Sequence, residues 1–296
     1  MIKHHCENKK PDRVVILGAS GFLGKSLKSV LEQQNVPILT LGRSDLDLSE
    51  EESAEKLTRL LKPTDALLFF STVTPDKGRG LDAFVKNIKM GEIFCNALKK
   101  VAPSHVIYLS SDTVYPLHRG LISEESPADP ENLFGVMHLS REYMIKASTT
   151  VPTAILRSTL VYGAADTHNS YGPNRMRRMA QKERKITLFG EGEERRDHIF
   201  VNDVASIIAL VLFHRSEGIL NLVTGQSISY KELAQKTASL FDVSIEIVSA
   251  PRNNPITHRH FDATAIHKSF PFFQFTSLDE GLKRAFQEEF IHQFSM

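Results

Sequence analysis

Three glycines at three-residue intervals, Gly18, Gly21 and Gly24, have a spacing that could do chemistry. They follow the apolar run Val14-Val15-Ile16-Leu17 and open a segment with Leu23, Leu27, Val30 and Leu31 at helical spacing. In that setting Gly18 takes the tight turn after a strand. Gly21 lets a pyrophosphate approach the backbone, and Gly24 lets the helix pack close to the sheet. The helix then turns free N–H groups and its positive dipole end toward phosphates. A glycine triplet alone is weak; one between an apolar strand and an amphipathic helix is a strong dinucleotide signature. The next apolar run, Pro37 to Leu41, ends in Gly42-Arg43-Ser44. An acid near this point takes ribose hydroxyls, as NAD requires, whereas an arginine meets a 2′-phosphate. Arg43 points to NADP, and Asp45 and Asp47 keep NAD open.

Other residues of chemical interest come later in the chain. Ser71-Thr72-Val73-Thr74-Pro75 follows the apolar run Ala66 to Phe70, at a strand's C-terminal end where ligands of open α/β sheets sit. Ser110-Ser111-Asp112-Thr113 follows the run His105 to Leu109. Its hydroxyls either reach a ligand or form a hydrogen-bonded Ser/Thr turn. Arg175, Arg177 and Arg178 open a short basic helix, and Arg195-Arg196-Asp197 follows Gly190-Glu191-Gly192. Arginine forks there can clamp phosphates or form surface ion pairs. His258, His260 and His267 fall in a loop region without a carboxylate–cysteine pattern, so no metal site is expected.

The elements that must position these residues alternate strand and helix over the first ~215 residues, which predicts a doubly wound parallel sheet. Expected helices include Glu50 to Leu61, Leu81 to Val101, Asn132 to Thr149, Asp203 to Phe213, Tyr230 to Phe241 and Asp279 to Phe290. Ser229 and Glu232 stand at capping-box spacing. Pro251 to Phe273 is expected to form loops of a smaller C-terminal lobe. The fold expected is therefore α/β, a Rossmann-type sheet with an interleaved substrate lobe. Residues 11–158 and 197–216 would bind dinucleotide, 159–196 and 217–296 would form the substrate lobe, and 1–10 would be a flexible arm.

Composition narrows the class. The 296 residues permit a large core, and 41% hydrophobic with 24% charged residues is ordinary for a globular protein. A net charge of +1 and the absence of an arginine–aromatic stripe give no argument for nucleic acid. No apolar run approaches the ~18 residues of a membrane span, and the polar start lacks a signal-peptide core. Two separated cysteines, Cys6 and Cys95, fit a reducing cytoplasm.

From about Arg13 to Phe290 the chain resembles the extended short-chain dehydrogenase/reductase family of NAD(P)-dependent nucleotide-sugar epimerases, dehydratases and reductases. The glycine turn, Asp47-Leu48, Asn87, Ser110-Ser111-Asp112-Thr113-Val114-Tyr115, and Gly190-Glu191-Gly192 through Arg196-Asp197 with Val201-Asn202-Asp203-Val204 come in the family's order. The resemblance implies cofactor contacts at Gly18, Ser20, Gly21, Phe22, Leu23, Gly24, Arg43, Asp47, Leu48, Ser71, Thr72 and His138. It implies a catalytic hydroxyl at Ser111 and substrate contacts at Thr113, Arg175 and Arg196. It also implies a homodimer through Leu81 to Val101 and Asn132 to Thr149. Two departures stand out. The family's Y-x-x-x-K pair aligns with Phe134 and His138, and a frequent Asn before V-Y-G is Leu160. Phe134 has no proton to give, whereas His138 can hydrogen-bond a ribose and carry charge near neutral pH. The implied function is a 4-epimerase or 4-keto reductase impaired at its proton step, a Tyr→Phe change being also the usual engineered way to silence such a site. A cofactor-binding sensor or partner subunit without turnover is the alternative. If turnover proves fast, Tyr171 and His138 are the next proton donors to examine.

Overall fold

The computed structural model describes residues 2–117, 120–166, 169 and 172–294, with side chains up to 289. Strand β1 (Arg13–Leu17) is buried on both faces, as its unbroken apolar run demands. Val14 and Ile16 enter one core while Val15 and Leu17 enter another, so the period-two alternation of a strand separates the two layers. Helix α1 (Phe22–Gln33) and strand β2 (Ile38–Leu41) follow, then α2 (Glu52–Leu60), β3 (Asp65–Phe69), α3 (Leu81–Lys100) and β4 (His105–Ser111). Next come β5 (Leu121–Ile122), α4 (Leu133–Ser148), β6 (Thr153–Ser158), β7 (Leu160–Tyr162) and α5 (Pro173–Glu183). The chain continues through β8 (Lys185–Phe189), β9 (Arg195–Phe200), α6 (Val201–Phe213), β10 (Gly218–Leu222), β11 (Ser227–Ser229) and α7 (Tyr230–Ala238). It closes with β12 (Glu246–Ala250), β13 (His260–Phe261), α8 (Thr264–Ser269) and α9 (Leu278–Phe294).

Six strands form one parallel sheet in the order β10-β6-β4-β3-β1-β2. From β1 the chain runs outward to β2, then crosses back to β3 on β1's other side. The β1/β3 boundary is thus the topological switch point, where crevices open at the strands' C-terminal ends. Helices α1 and α6 pack together on one face, and α2, α3 and α4 on the other. A smaller three-stranded sheet, β11-β9-β7, and the β8/β12 pair carry the later part of the chain.

Three features differ from the sequence expectation. Gly218–Leu222, assigned by sequence to the substrate lobe, is an outer strand of the central sheet, paired parallel with β6. The apolar helix α6 is the crossover that delivers it there, which no local pattern in the strand reveals. The stretch from Pro251 to Phe273, expected as loops, contains β13 and α8. The first residues, expected as a flexible arm, are anchored. Lys3 and Glu217 exchange backbone hydrogen bonds of 2.7 Å in each direction, and His4 Nδ1 lies 2.8 Å from Ser216 Oγ, with its ring against His214 and Phe270. The Ser229–Glu232 capping box is present at the start of α7.

Candidate active site

The glycine turn lies at the switch point. Gly18 adopts φ +91°, and a Cβ there would stand 2.8 Å from the Ser71 amide nitrogen. Only glycine permits both the backbone angle and this approach of β1 to the chain leaving β3. A Cβ on Gly24 would stand 2.6 Å from the Gly18 carbonyl, so α1 begins tightly against the turn. No side chain caps the α1 N-terminus and its first turn holds no acid. Its leading N–H groups fit an anionic pyrophosphate. Leu23 is buried in the core beneath, Ser20 is exposed, and Phe22 packs beside Gly163 after β7. At the end of β2, Arg43 donates to Asp47 Oδ2 at 2.9 Å while remaining three-quarters exposed. The Ser49 hydroxyl donates to Asp47 Oδ1 at 2.6 Å; this bond, with help from Arg43, lowers the carboxyl pKa to about 2. Leu48 is buried beside them.

Past β3 the chain is held by a polar cluster. Buried Asn87 on α3 pins Val73 through both amide atoms, at 2.8 and 2.9 Å. Arg141 on α4, fully buried, donates to the carbonyls of Ser71 and Asn87 (2.9 Å each) and to Thr72 Oγ1 (3.3 Å). Glu142, its neighbour, accepts from Ser110 Oγ at 2.6 Å and makes a two-point pair with Arg157. These contacts tie the ends of β3, β4 and β6 to one helix. Ser111 Oγ accepts from the Thr113 amide (3.2 Å) and hydroxyl (2.9 Å), so the Ser/Thr turn exists and joins two candidate site hydroxyls. Asp112 is buried, which raises its pKa, while Arg259 and Arg196 oppose that shift. Arg259 lies 3.3 Å from Asp112 Oδ2, and Arg196 is braced by Thr257. Arg175 lies on α5, and Tyr171 falls outside the described residues.

Phe134 lines a cleft of about 320 Å³ with Thr113, Asn132, Met137, Asn87 and Phe84, between the N-terminal ends of α3 and α4. Its ring stands edge-on to His138, centroids 4.6 Å apart. His138 corrects one expectation. It is buried, its Nδ1 lies 2.7 Å from the Tyr108 hydroxyl, and desolvation, reinforced by Arg141, lowers its pKa to about 3. It is neutral at neutral pH and does not carry the charge of the family's lysine.

Sequence reasoning missed Tyr108, Arg141, the Glu142–Arg157 pair and Arg259. Arg141 had a legible signal, since it stands one helical turn after His138. Arg259 had none, because its contact with Asp112 spans 147 residues.

A parallel sheet with its glycine turn at the switch point, and hydroxyls at the end of a neighbouring strand, defines a Rossmann-type dinucleotide-binding protein. Residues 14–222, well over half the chain, match the model of the NAD dependent epimerase/dehydratase family, and the chain belongs to that family. Its characterised members are epimerases, dehydratases and reductases. The chain is 24% identical to the N-acetyl-alpha-D-glucosaminyl-diphospho-ditrans,octacis-undecaprenol 4-epimerase of Escherichia coli O157:H7, over 95% of this chain and 96% of that one. Its fold is similar to UDP-glucose 4-epimerase of Bifidobacterium longum in complex with NAD+ and UDP (TM-score 0.82, 18% identity, 96% and 100% of the two chains). It is similar also to a GDP-L-fucose synthetase of Naegleria fowleri bound to NADP (TM-score 0.82, 17% identity, 100% and 99%).

Proposed function

We propose that this protein is an NADP-dependent 4-epimerase or 4-keto reductase of a nucleotide sugar or related diphosphate-linked sugar, slowed at its proton step by Phe134. The observation that carries this reading is the meeting of the Gly18 turn with Ser71 at the switch point, on the same sheet edge as the Ser111–Thr113 hydroxyls. A bound nicotinamide supplies hydride exchange at the sugar ring. The turn residues Gly18 to Gly24 hold the pyrophosphate, Asp47 and Leu48 meet the adenosine, and Arg43 pairs a 2′-phosphate. Ser71 and Thr72, held by Arg141, border the nicotinamide ribose. Ser111 hydrogen-bonds the reacting oxygen, with Thr113 beside it. Phe134 lines the cleft but holds no proton. Arg175 and Arg196 take the diphosphate in the lobe built from residues 159–196 and the chain after β10. The net charge of only +1 and the free thiols Cys6 and Cys95 support a cytoplasmic protein, and the exposed apolar residues Leu81, Val85, Val136 and Tyr143 on α3 and α4 support a homodimer. No helix among the described residues is long and apolar enough to cross a membrane.

Phe134, together with the neutral His138, favours a second reading, a non-catalytic NAD(P)-binding sensor or partner subunit. One experiment separates the two. The parent and Phe134→Tyr are incubated with NADP(H) or NAD(H) and a panel of nucleotide sugars, following nicotinamide absorbance and product sugars. Turnover gained by Phe134→Tyr on any substrate supports the enzyme. Cofactor binding with no turnover in either protein supports the sensor, and absent cofactor binding overturns both.

A further inference from the structure

His138 stands where a lysine would bring a positive charge, yet it is a buried neutral ring whose Nδ1 meets the Tyr108 hydroxyl at 2.7 Å. That distance fits two arrangements: the phenol donates to Nδ1, or Nδ1–H donates to the phenol oxygen. The phenol decides between them. Tyr108 is fully buried and its hydroxyl has no other hydrogen-bond acceptor among the described residues, so only donation to Nδ1 gives its proton an acceptor. The Arg141 guanidinium is also fully buried and stacks 4.7 Å from the centre of the Phe69 ring. The same cation resists a second proton on the imidazole.

Arg141 has no carboxylate partner among the described residues. Its donors go to the Asn87 and Ser71 carbonyls, Asn87 Oδ1 and Thr72 Oγ1. Glu142, next along the helix, is occupied by Arg157 and Ser110. The other groups around His138 are the Phe134 ring on α4 and Tyr108 on β4, neither charged. A fixed positive charge therefore lies one helical turn beyond His138, directly bonded to the Ser71-Thr72 segment.

We propose that Tyr108, His138 and Arg141 divide between them the work of the family's single lysine. Tyr108 locks His138 as the neutral Nε2–H tautomer, a hydrogen-bond donor to the cofactor ribose. Arg141 supplies the permanent charge beneath Ser71 and Thr72. Tyr108 and Arg141 are positioning residues in this arrangement. The ribose contact rests on the cofactor site proposed above; the tautomer lock and the relocated charge do not.

The test begins with nitrogen-15 NMR of histidine-labelled full-length protein, without cofactor or substrate. His138 is expected as a neutral ring protonated on Nε2, unchanged from pH 8 to pH 5. Tyr108→Phe should release the lock and populate the Nδ1–H tautomer. Arg141→Met should raise the pH at which His138 gains a second proton, and Arg141→Lys should restore the parent behaviour. An Nδ1–H ring or titration near pH 6.5 in the parent overturns the proposal, as does a Tyr108→Phe spectrum identical to the parent's. A double-mutant cycle tests the charge. His138→Lys adds a second buried cation beside Arg141 and should weaken NADP binding at least about tenfold. Adding Arg141→Met should recover most of that loss, because one charge then remains. Equal losses with and without Arg141 overturn the relocated charge. If the parent binds no nicotinamide cofactor, the function proposed above fails while the NMR result stands on its own.

Discussion

Phe134 and His138 set the chemistry available to the site. A phenol at position 134 would restore an acid–base group beside the Ser111–Thr113 pair, worth about 10²–10⁴-fold in such reactions. The neutral His138 cannot lower that phenol's pKa as an adjacent cation would; the buried Arg141 acts only from one turn further on. The gain on Phe134→Tyr should therefore fall at the lower end, about 10²-fold, with activity still rising above pH 8 in the variant. A pH-rate profile of the two proteins measures both. At the cofactor's other end, Arg43 is braced on Asp47 but mostly exposed, so solvent screens its pairing with a 2′-phosphate. Arg43→Ala should lower the NADP-over-NAD preference by about two- to fivefold. Dissociation constants for both cofactors decide it, and an unchanged ratio removes Arg43 from cofactor selection.

Among the elements, α4 carries the most consequences. Its Asn132 cap accepts from the Gly135 amide at 3.0 Å, starting the helix directly over the 3₁₀ turn Asp112–Val114. A Cβ at Gly135 would lie 2.2 Å from the Thr113 carbonyl oxygen and 2.8 Å from Pro130 Cβ. Backbone, not a flexible side chain, blocks it, so Gly135→Ala must push the helix off the Ser111–Thr113 turn. A loss of about 1–3 kcal/mol in stability is expected, read by denaturant titration, with a larger proportional loss of turnover in a Phe134→Tyr background. The outward faces of α3 and α4 leave Leu81, Val85, Val136 and Tyr143 exposed, up to 66% for Tyr143. Burying these against a second copy would form an isologous interface. Sedimentation should find a dimer at micromolar concentration that Val85→Glu combined with Tyr143→Glu converts to monomer; a monomeric parent refutes the pairing.

At the scale of the molecule, three buried histidines among the described residues shape the response to acid. Desolvation lowers His105 to about 4 and both His138 and His198 to about 3. In the unfolded chain each takes up a proton near pH 6.5, so the stability they allow is complete above that pH and is lost as the pH falls toward 4. Asp197, raised by burial to about 6, binds its proton more tightly in the folded state and offsets part of the loss. Net uptake on unfolding near pH 5.5 is up to about two protons, a slope of up to about 3 kcal/mol per pH unit. Chemical denaturation at pH 7.5, 6.5 and 5.5 should show this decline. His105→Gln, which keeps a donor for the Ser216 carbonyl, should reduce the slope by about one proton. A stability independent of pH over that range would contradict the buried neutral histidines.

The strand–turn–helix from Val14 to Leu31 and the capped start of α7 at Ser229 were determined by sequence alone, because a glycine turn, an apolar period and a capping box are short-range patterns with short-range causes. The order of family motifs placed Ser111, Phe134 and His138 on their elements in the same way. Tertiary structure decided the rest. Whether Gly218–Leu222 joins the central sheet depends on where α6 carries the chain, and Arg259 reaches Asp112 only because β13 folds back beside β5. Above all, the charge of His138 was not legible in its residue type. An imidazole titrates near neutrality in water, and only burial against Tyr108 and Arg141 makes it a neutral hydrogen-bonding group.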